Sequence, residues 1–204
     1  MQSFSEIETT SKRASKAAGF SWGIAEEVGK NIRNLEMFGL AGIKNLNLYF
    51  KKIKKNPTEK ISKIEKKNKP KSRELCPIYC GAAFLDSCKK LETFKLINFF
   101  NVSYPLLLLP FLSRASDIVG KKISVKYEKN NFLLNFDKTI FSSNSNNNQI
   151  ISKTKKISII FMENNNLFSL KEWKELYKLS EETFVGESES LKMKGAGAGL
   201  TDND

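Results

Sequence analysis

The sequence predicts an α+β fold, built from N-terminal antiparallel helices, a kinked central helix, a small and mostly antiparallel sheet, a C-terminal helix and an extended Gly/Ala-Asp tail. Two patterns carry this prediction. Apolar residues recur every three or four positions over the first 54 residues, whereas they alternate with polar residues in several runs between 123 and 162. Consecutive strands flanked by helices are typical of this class. Strands that alternated with helices would instead favour a parallel sheet.

Three short antiparallel helices are predicted at the N-terminus. Ser3 and Glu6 form a capping box for the first helix, and Gly19 follows its last turn. Ser21 is a natural N-cap for the second helix, and Gly39 ends it. The short joints favour antiparallel packing. The apolar stripes expected for the second and third helices are Ala25, Val28, Ile32 and Leu35, and then Ile43, Leu46, Phe50 and Ile53.

The second half of the chain is predicted to supply two helices, the sheet and a final helix. Pro77 suits the first position of a helix. The run that follows Tyr104 is predicted to be helical with a kink at Pro110, because proline removes a backbone hydrogen bond. An Asn130-Asn131 turn joins two alternating runs into a hairpin. The strands are expected at residues 94–102, 123–127, 132–136, 139–141 and 156–162, and the capping box of the final helix at Ser169 and Glu172.

Positive charge is concentrated in one stretch of the chain, which we call the basic segment (residues 51–73). It contains eleven Lys and Arg side chains against Glu59 and Glu65, which accounts for three quarters of the net charge of +12. Two prolines interrupt it and aliphatic side chains are few, so we expect a solvated linker or a frayed helix. The predicted organisation is a single α+β domain at 1–186, with a helical part at 1–54, a basic linker at 55–73 and an α/β part at 74–186, followed by a tail at 187–204.

Composition excludes several classes of catalytic and metal site. The chain has no histidine, which rules out Ser-His-Asp and Cys-His nucleophile systems and imidazole ligands. Its 3 cysteines lack the paired spacing that holds structural zinc. The sequence therefore predicts no metal site and no cofactor.

The sequence also disfavours nucleic-acid binding and a membrane span. Lysines of the basic segment attract phosphate, but no aromatic side chain interleaves with them for base stacking. The N-terminus is polar, and the longest apolar run, residues 104–112, is about half the length that a spanning helix needs. We therefore expect a cytoplasmic protein. The sequence leaves its oligomeric state open.

Two groups of candidate site residues lie ahead of the tail. Trp22, Gly23 and Glu26 begin the second helix and are candidates for lining a ligand pocket, with Glu26 as an acid or a base. Cys76 precedes Pro77, so its thiol would lie near a helix N-terminus, which lowers a thiol pKa and favours a nucleophilic thiolate. Both groups have a structural alternative. A carboxylate in the first turn complements the helix dipole, and cysteines in a Gly/Ala-rich helix are commonly buried.

The C-terminal tail is a third candidate site. Glycine alternates with alanine there, so the backbone can approach closely inside a narrow cleft, and the acids that follow can meet Lys or Arg side chains. The alternative is a tail that stays in solvent. The binding candidates of the tail are Gly195, Gly197, Gly199, Thr201, Asp202 and Asp204.

Several motifs carry a family resemblance. They are SFSEIE, AAGFSWGIAEEVG, Leu75-Cys76-Pro77 followed by GAAFLD, YPLLLLPFL, and the terminal GAGAGLTDND. Together they resemble a bacterial family called domain of unknown function 3726. The resemblance implies no activity, because none is assigned to the family. The residues that it implies to be family features are Trp22, Gly23, Glu26, Cys76, Gly195, Gly197, Gly199, Asp202 and Asp204.

These observations lead us to expect an accessory or binding protein of metabolism. Its C-terminal tail would dock in a cleft, and its partner would be a metabolic enzyme or a small molecule. The first alternative is a small metal-independent enzyme that uses Glu26, Cys76 and carboxylates of the tail, which requires these groups to meet in one pocket. The second alternative is nucleic-acid binding through the basic segment, with strong salt dependence.

Overall fold

The structure is a computed structural model that describes residues 2–135, 137–143 and 150–184, and it confirms the α+β class. The chain divides into two compact units, Met1–Asn164 and Asn165–Asp204. Among their described residues, the first unit holds five α-helices and a six-stranded sheet, and the second unit holds one α-helix. The boundary expected at residue 186 remains a prediction, because it lies beyond the last described residue.

The three N-terminal helices are confirmed, with most of their predicted ends. They are α1 (Phe4–Ala17), α2 (Trp22–Met37) and α3 (Gly42–Lys55). The Ser3 capping box forms, and the Ser21 hydroxyl accepts a hydrogen bond from the backbone N–H of Ile24. Gly29 lets α2 approach α1 closely, because a Cβ atom there would lie 2.7 Å from the carbonyl oxygen of Glu8. The predicted stripe of α2 is buried throughout.

The buried face of α3 is rotated from the predicted one. Leu46 is buried as expected, but Ile43 is 40% exposed. Tyr49 is fully buried in its place, and Phe50 and Ile53 lie at the margin of the core. Because tyrosine has a polar hydroxyl, the sequence pattern did not indicate that Tyr49 belongs to the core. In the structure this hydroxyl has buried hydrogen-bond partners, which are described below.

Two central helices pack on each other and on the sheet. Helix α4 (Pro77–Leu91) begins with Pro77 as predicted, and α5 covers Leu109–Val119. The predicted kink at Pro110 takes another form. A short 3₁₀ helix, Pro105–Leu108, precedes α5, and Pro110 occupies the first turn of α5, where its missing N–H has no intrahelical partner to lose.

The strands form a mixed sheet in the order β1-β2-β6-β3-β4-β5. Strand β1 pairs with β2 in parallel, and the other neighbouring pairs are antiparallel. The central register places Val125 opposite Phe132 on one side and Ile159 on the other. The strands are β1 (Lys67–Asn68), β2 (Ile97–Ser103), β3 (Ile123–Tyr127), β4 (Asn130–Leu134), β5 (Ile140–Ser142) and β6 (Lys153–Phe161).

The hairpin turn between β3 and β4 lies two residues earlier than predicted. Tyr127 pairs with Asn130, so the turn consists of Glu128 and Lys129, and Asn130 and Asn131 belong to β4. Glu128 adopts the left-handed conformation with φ of 49°. Phe136, which we predicted to end the second strand, lies outside the described residues.

The basic segment is not the solvated linker or frayed helix that the sequence suggested. It completes α3, contributes strand β1 to the edge of the sheet, and buries Ile64. The Asn68 side chain donates to the carbonyl oxygens of Glu65 (2.7 Å) and Asn98 (3.1 Å).

Three lysines of this segment lie over aromatic rings from later in the chain. The Nζ atoms of Lys60, Lys66 and Lys69 are 4.5, 5.4 and 5.3 Å from the centroids of rings that belong to α4, the loop after it and β2. Such contacts stabilise a cationic segment that has few aliphatic side chains of its own. The rings are those of Tyr79, Phe94 and Phe100, respectively.

The second unit contains α6 (Leu170–Glu181), which begins with the predicted capping box of Ser169 and Glu172. The rings of Phe168 and Trp173 stack at 5.6 Å beside this cap. The candidate residues of the tail all lie in 185–204, outside the described part of the chain. In the residues that the structure describes, no helix combines the length and the apolar character that crossing a membrane requires.

Candidate functional site

A cleft of about 560 Å³ lies beside the basic segment, and we call it the cationic cleft. The end of α3 and the residues up to Thr58 form one wall, and residues 70–74 form the opposite wall. Asn101 in β2 and Lys153 at the start of β6 close it. The cations that line the cleft are Lys52, Lys55, Lys71, Arg73 and Lys153.

Glu74 is the acidic residue among the lining residues, and it orients two of the lysines. Its carboxylate forms an ion pair with Lys52, and its Oε1 lies 3.7 Å from the Nζ of Lys153. Lys52 also donates to the carbonyl oxygen of Ser152 at 3.3 Å and lies 5.7 Å from the ring centroid of Tyr104. The Lys52 and Glu74 side chains are 24% and 21% exposed, so this pair is fixed rather than a freely moving surface contact.

The wall formed by residues 70–74 is held in place by the carboxylate of Glu59. Glu59 accepts hydrogen bonds from the backbone N–H groups of Lys71, at 2.9 Å, and Ser72, at 3.3 Å. The backbone hydrogen bond from Lys71 lowers the pKa of Glu59. This loop presents Lys71 and Arg73 to the cleft. In the described part of the chain, Lys55 and Arg73 form no ion pair, so their charges are available to a ligand.

Asn101 adds a polar group at the floor of the cleft. It adopts φ of 52° within β2, a left-handed conformation that asparagine tolerates better than most residues. Its carbonyl oxygen accepts a hydrogen bond of 2.8 Å from the N–H of Leu75, which ties the wall at 70–74 to the sheet. The cleft as a whole can hold an anion with several charged groups, since five cations face one carboxylate.

Cys76 lies in a second, smaller cavity of about 220 Å³ that shares Pro57 and Thr58 with the cationic cleft. The Tyr49 hydroxyl donates to the Cys76 sulfur at 2.9 Å and lies 2.9 Å from the Thr58 hydroxyl. Phe20 stacks on Tyr79 at 5.5 Å along the same cavity. The cavity wall is therefore rich in aromatic side chains and carries polar groups among them.

The expected activation of Cys76 is overturned. Cys76 is the N-cap of α4 and its sulfur accepts a hydrogen bond from the N–H of Tyr79, as the proline predicted. Burial nevertheless raises the pKa of the thiol, because the side chain is 2% exposed and desolvation outweighs the hydrogen bonds. Burial raises the pKa of Tyr49 as well. Cys80 and Cys88 are also buried, which confirms the structural interpretation of the cysteines.

The start of α2 forms a separate, exposed surface. Trp22 is 57% exposed, and its ring lies 5.4 Å from the Nζ of Lys16. Glu26 pairs with Lys30 at 3.2 Å and with Lys12 at 3.3 Å. The hydrogen bond from Lys30 lowers the Glu26 pKa, so this side chain is a carboxylate at neutral pH.

Among the described residues, the structure does not bring the predicted site residues of α2 together with Cys76. Trp22, Gly23 and Glu26 are absent from the residues that line the Cys76 cavity. A Cβ atom on Gly23 would contact nothing within 4 Å, so this glycine is not required by a close approach. Sequence reasoning found the basic segment but missed Glu74, Asn101 and Lys153 as parts of its cleft. No sequence signal links Lys153 to residues 70–74, because β6 brings it there from far along the chain.

Comparison with known proteins gives a partial resemblance to one family and no activity. No curated protein and no solved structure matches this chain. Residues 2–76 match the family described as "Protein of unknown function (DUF3726)". The matched range includes α1 to α3, most of the cationic cleft, and both Glu26 and Cys76. Over residues 2–76 the chain thus resembles this uncharacterised family, and the resemblance found in the sequence motifs is confirmed there.

Proposed function

We propose that this chain is a cytoplasmic accessory or binding protein that holds a small polyanionic ligand in the cationic cleft. The observation that carries the proposal is the lining of this cavity, in which five cations face the single carboxylate of Glu74. The volume of about 560 Å³ falls in the range of small-molecule sites. The three free cysteines suit the reducing compartment that the proposal names.

The ligand chemistry follows from the fixed and free cations. Glu74 already engages Lys52 and Lys153, whereas Lys55 and Arg73 have no acidic partner among the described residues. A ligand with two or more phosphate or carboxylate groups would bridge the two walls of the cleft. Arg73 suits such groups especially, because a guanidinium binds two oxygens at once.

The geometry favours binding over the enzyme alternative. That alternative needs Glu26, Cys76 and carboxylates of the tail in one pocket. Glu26 is held by two lysines at the surface, and burial raises the Cys76 pKa, so neither group is prepared for proton transfer or nucleophilic attack.

Nucleic-acid binding is retained as a second candidate because of one observation. The sequence showed no aromatic side chains within the basic segment, but the fold places the partly buried rings of Phe94 and Phe100 beneath Lys66 and Lys69. A ring beside a lysine is the arrangement that single-stranded nucleic acids use for stacking and phosphate contact.

The tail remains a separate part of the proposal. We propose that residues 195–204 dock in a cleft, of this chain or of a metabolic-enzyme partner, through close backbone contact at Gly195, Gly197 and Gly199 and through Asp202 and Asp204. The support is the sequence of the tail alone. Native mass spectrometry of the protein from its host, intact and without residues 187–204, would test it. Retention of every co-purifying protein and small molecule in the truncated chain would exclude this role.

The cleft itself is tested by calorimetric titration with inorganic pyrophosphate, citrate and ATP as probes. The double variant Lys55→Gln/Arg73→Gln should weaken the tightest probe by about tenfold or more, because two charge-assisted hydrogen bonds are lost. Lys89→Gln/Lys90→Gln is the matched control, since it removes the same charge from exposed positions on α4. Equal weakening by both double variants, or no binding of any probe, would refute a specific cleft.

The nucleic-acid candidate is separated by a short single-stranded oligonucleotide. If this candidate holds, Phe100→Leu weakens oligonucleotide binding and leaves pyrophosphate binding unchanged, because only the oligonucleotide stacks on the ring. If oligonucleotide binding is absent, or falls with net charge alone in both lysine variants, the small-ligand proposal is the one that stands.

A further inference from the structure

Helix α6 of the second unit carries a row of apolar side chains, which we call the apolar stripe: Leu170, Trp173, Leu176 and Tyr177. These residues recur every three or four positions, so they share one side of the helix. They are between 50% and 72% exposed, and no residue of α6 is buried in the described part of the chain. The stripe is therefore an apolar surface that the described residues leave open.

Local contacts stabilise the start of α6. The Ser169 hydroxyl accepts a hydrogen bond of 3.2 Å from the backbone N–H of Glu172, whose carboxylate accepts one of 2.6 Å from the N–H of Ser169. Phe168 stacks on Trp173 in the arrangement of a hydrophobic staple. A helix as short as the 12 residues of α6 is nevertheless marginal in water, and such helices gain most of their stability by burying an apolar face. We therefore expect another surface to cover the stripe.

The area of the stripe is enough for a small specific interface. Each of its four side chains still exposes on the order of 100 Å². Phe184, which is 71% exposed, adds apolar area just beyond the end of α6. Two copies that cover each other would bury about 1,000 Å² in total, which is at the lower end of specific protein interfaces.

Charges beside the stripe favour a second copy in antiparallel orientation. In a heptad numbering that places Leu170 at position a, both Lys174 and Glu181 occupy position e. Position e of one helix faces position e of the other when two helices run antiparallel. Lys174 would then lie opposite Glu181 of the second copy, and two-fold symmetry would form this contact twice. A parallel pair would instead place Glu181 opposite the apolar Leu176 at position g.

The same register places a small residue against a large one. Ser180 occupies position d, which faces position a of an antiparallel partner, so it would lie against the ring of Tyr177 of the second copy. The Ser180 hydroxyl donates to the carbonyl oxygen of Tyr177 in its own helix at 2.6 Å. It can therefore be buried in the interface without losing its hydrogen bond.

A membrane surface fits α6 less well. Helices that lie on anionic lipid are rich in Lys and Arg on their polar side. The 12 residues of α6 contain three lysines and three glutamates, so they have no net charge to attract such a surface.

We infer that α6 pairs along its apolar stripe with α6 of a second copy of this chain, in antiparallel orientation. Lys174 of each copy pairs with Glu181 of the other. The chain is thus a dimer in exchange with its monomer.

Sedimentation velocity of the full chain, from about 2 to 200 µM, measures this equilibrium. We expect a Kd below about 100 µM, as suits a small interface. Tyr177→Gln should weaken dimerisation at least about tenfold, because the side chain is lost from both copies. Leu179→Gln is the matched control, since Leu179 is also exposed but lies nine residues from Leu170, on the opposite side of the helix. A chain that is monomeric at about 200 µM, or equal weakening by both variants, would overturn the inference.

Charge reversal tests the orientation. Lys174→Glu and Glu181→Lys should each weaken dimerisation about tenfold at low ionic strength, because two opposite-charge contacts become like-charge contacts. The double variant Lys174→Glu/Glu181→Lys should restore the Kd of the parent chain. Lys171→Glu is the matched control, since Lys171 lies on the charged side of α6 and should leave the Kd unchanged. Failure of the double variant to recover would overturn the antiparallel pairing.

Two further measurements separate this inference from other functions of the chain. Vesicles of phosphatidylcholine and phosphatidylglycerol in equal parts should not bind the protein, and a monomer that binds them through Tyr177 would overturn the inference. Pyrophosphate binding in the cationic cleft should be unchanged in the α6 variants, and Lys55→Gln/Arg73→Gln should leave the dimer unchanged. Either proposal can therefore fail while the other stands.

Discussion

The contact between α4 and α5 at Gly81 allows one prediction to be worked from distances, and we expect Gly81→Ala to destabilise the protein. A Cβ atom at Gly81 would lie 2.2 Å from Cδ2, 2.5 Å from Cγ and 2.9 Å from Cβ of Phe111. Carbon atoms in favourable contact are about 3.5–4.0 Å apart. Phe111 is 1% exposed and surrounded by core residues, so the ring cannot turn aside and the two helices must separate.

The magnitude follows from two opposing effects. Overpacking a dense core costs about 1–3 kcal/mol, and a clash that reaches Cβ and Cγ belongs at the upper end of this range. Alanine recovers up to about 1 kcal/mol because it is the better helix former. The net loss is then about 2 kcal/mol of unfolding free energy, which lowers the Tm of a chain of this size by about 4–8 °C.

Urea unfolding followed by circular dichroism measures this loss. Gly23→Ala is the matched control, because a Cβ atom there contacts nothing within 4 Å and the variant should be as stable as the parent or slightly more so. The double variant Gly81→Ala/Phe111→Ala should lose less stability than the two single variants added together, since Cδ2 and Cγ of the ring, the two nearest clashing atoms, are removed. The reasoning fails if Gly81→Ala matches the parent chain while Gly23→Ala behaves as expected.

Three further predictions concern the site and its surroundings. The three buried cysteines should react with a thiol reagent at pH 8 at least about a hundredfold more slowly in the folded protein than in urea. The reason is that only the thiolate reacts, and burial raises the pKa of each thiol. Rapid labelling of Cys76 in the folded protein would contradict this prediction. Glu59→Gln should destabilise the protein at neutral pH but not in acid. The pKa of Glu59 is lowered in the folded protein, so the carboxylate stabilises the fold above the ordinary pKa of about 4.3, and this stabilisation is lost as the pH falls through the lower, folded pKa. A stability difference between the variant and the parent that does not change with pH would count against this prediction. Glu74→Gln should tighten pyrophosphate binding in the cationic cleft several-fold, because it frees Lys52 and Lys153 from their carboxylate. Calorimetry measures this change. Weaker binding in the variant would contradict the prediction and would mean that Glu74 is needed to hold the cleft in shape.

Elements whose signals are local were predictable from the sequence. The capping boxes at Ser3 and Ser169 and the stripe of α2 depend on residues within one helix, and all three are confirmed. The β3–β4 turn was misplaced by the same local reasoning. Asparagine is the better turn residue, but the pairing of β4 with β5, in which Leu134 lies opposite Ile140, fixes a register that puts Glu128 in the turn.

The order of the basic segment could not be predicted from its own residues. Its composition is that of a segment that cannot bury enough apolar surface by itself. The stabilising partners come from elsewhere: the ring of Tyr79 in α4, the rings near and in β2, and the carbonyl oxygen of Asn98. Only the folded sheet brings these groups next to the lysines.

The pKa of Cys76 shows the same limit in the candidate site. Its place at a helix N-terminus was readable from Pro77, and the local hydrogen bond from Tyr79 does form. The opposing effect is burial beneath Tyr49, which α3 brings from 27 residues away. Desolvation is a property of the tertiary structure, so the sign of the shift could not be obtained from the motif.

The concentration of charge in the cationic cleft leads to a last prediction, about stability. Five like charges that face one carboxylate repel one another, and a bound anion offsets this repulsion in the folded state only. At a pyrophosphate concentration of about one hundred times its Kd, binding should stabilise the protein by about 2.7 kcal/mol. For a chain of this size the Tm should then rise by about 5–11 °C. Lys55→Gln/Arg73→Gln should lose most of this rise at equal ionic strength. An equal rise in that variant, or the same rise with sodium chloride, would show that general salt effects act on the protein and that the cleft has no specific part in them.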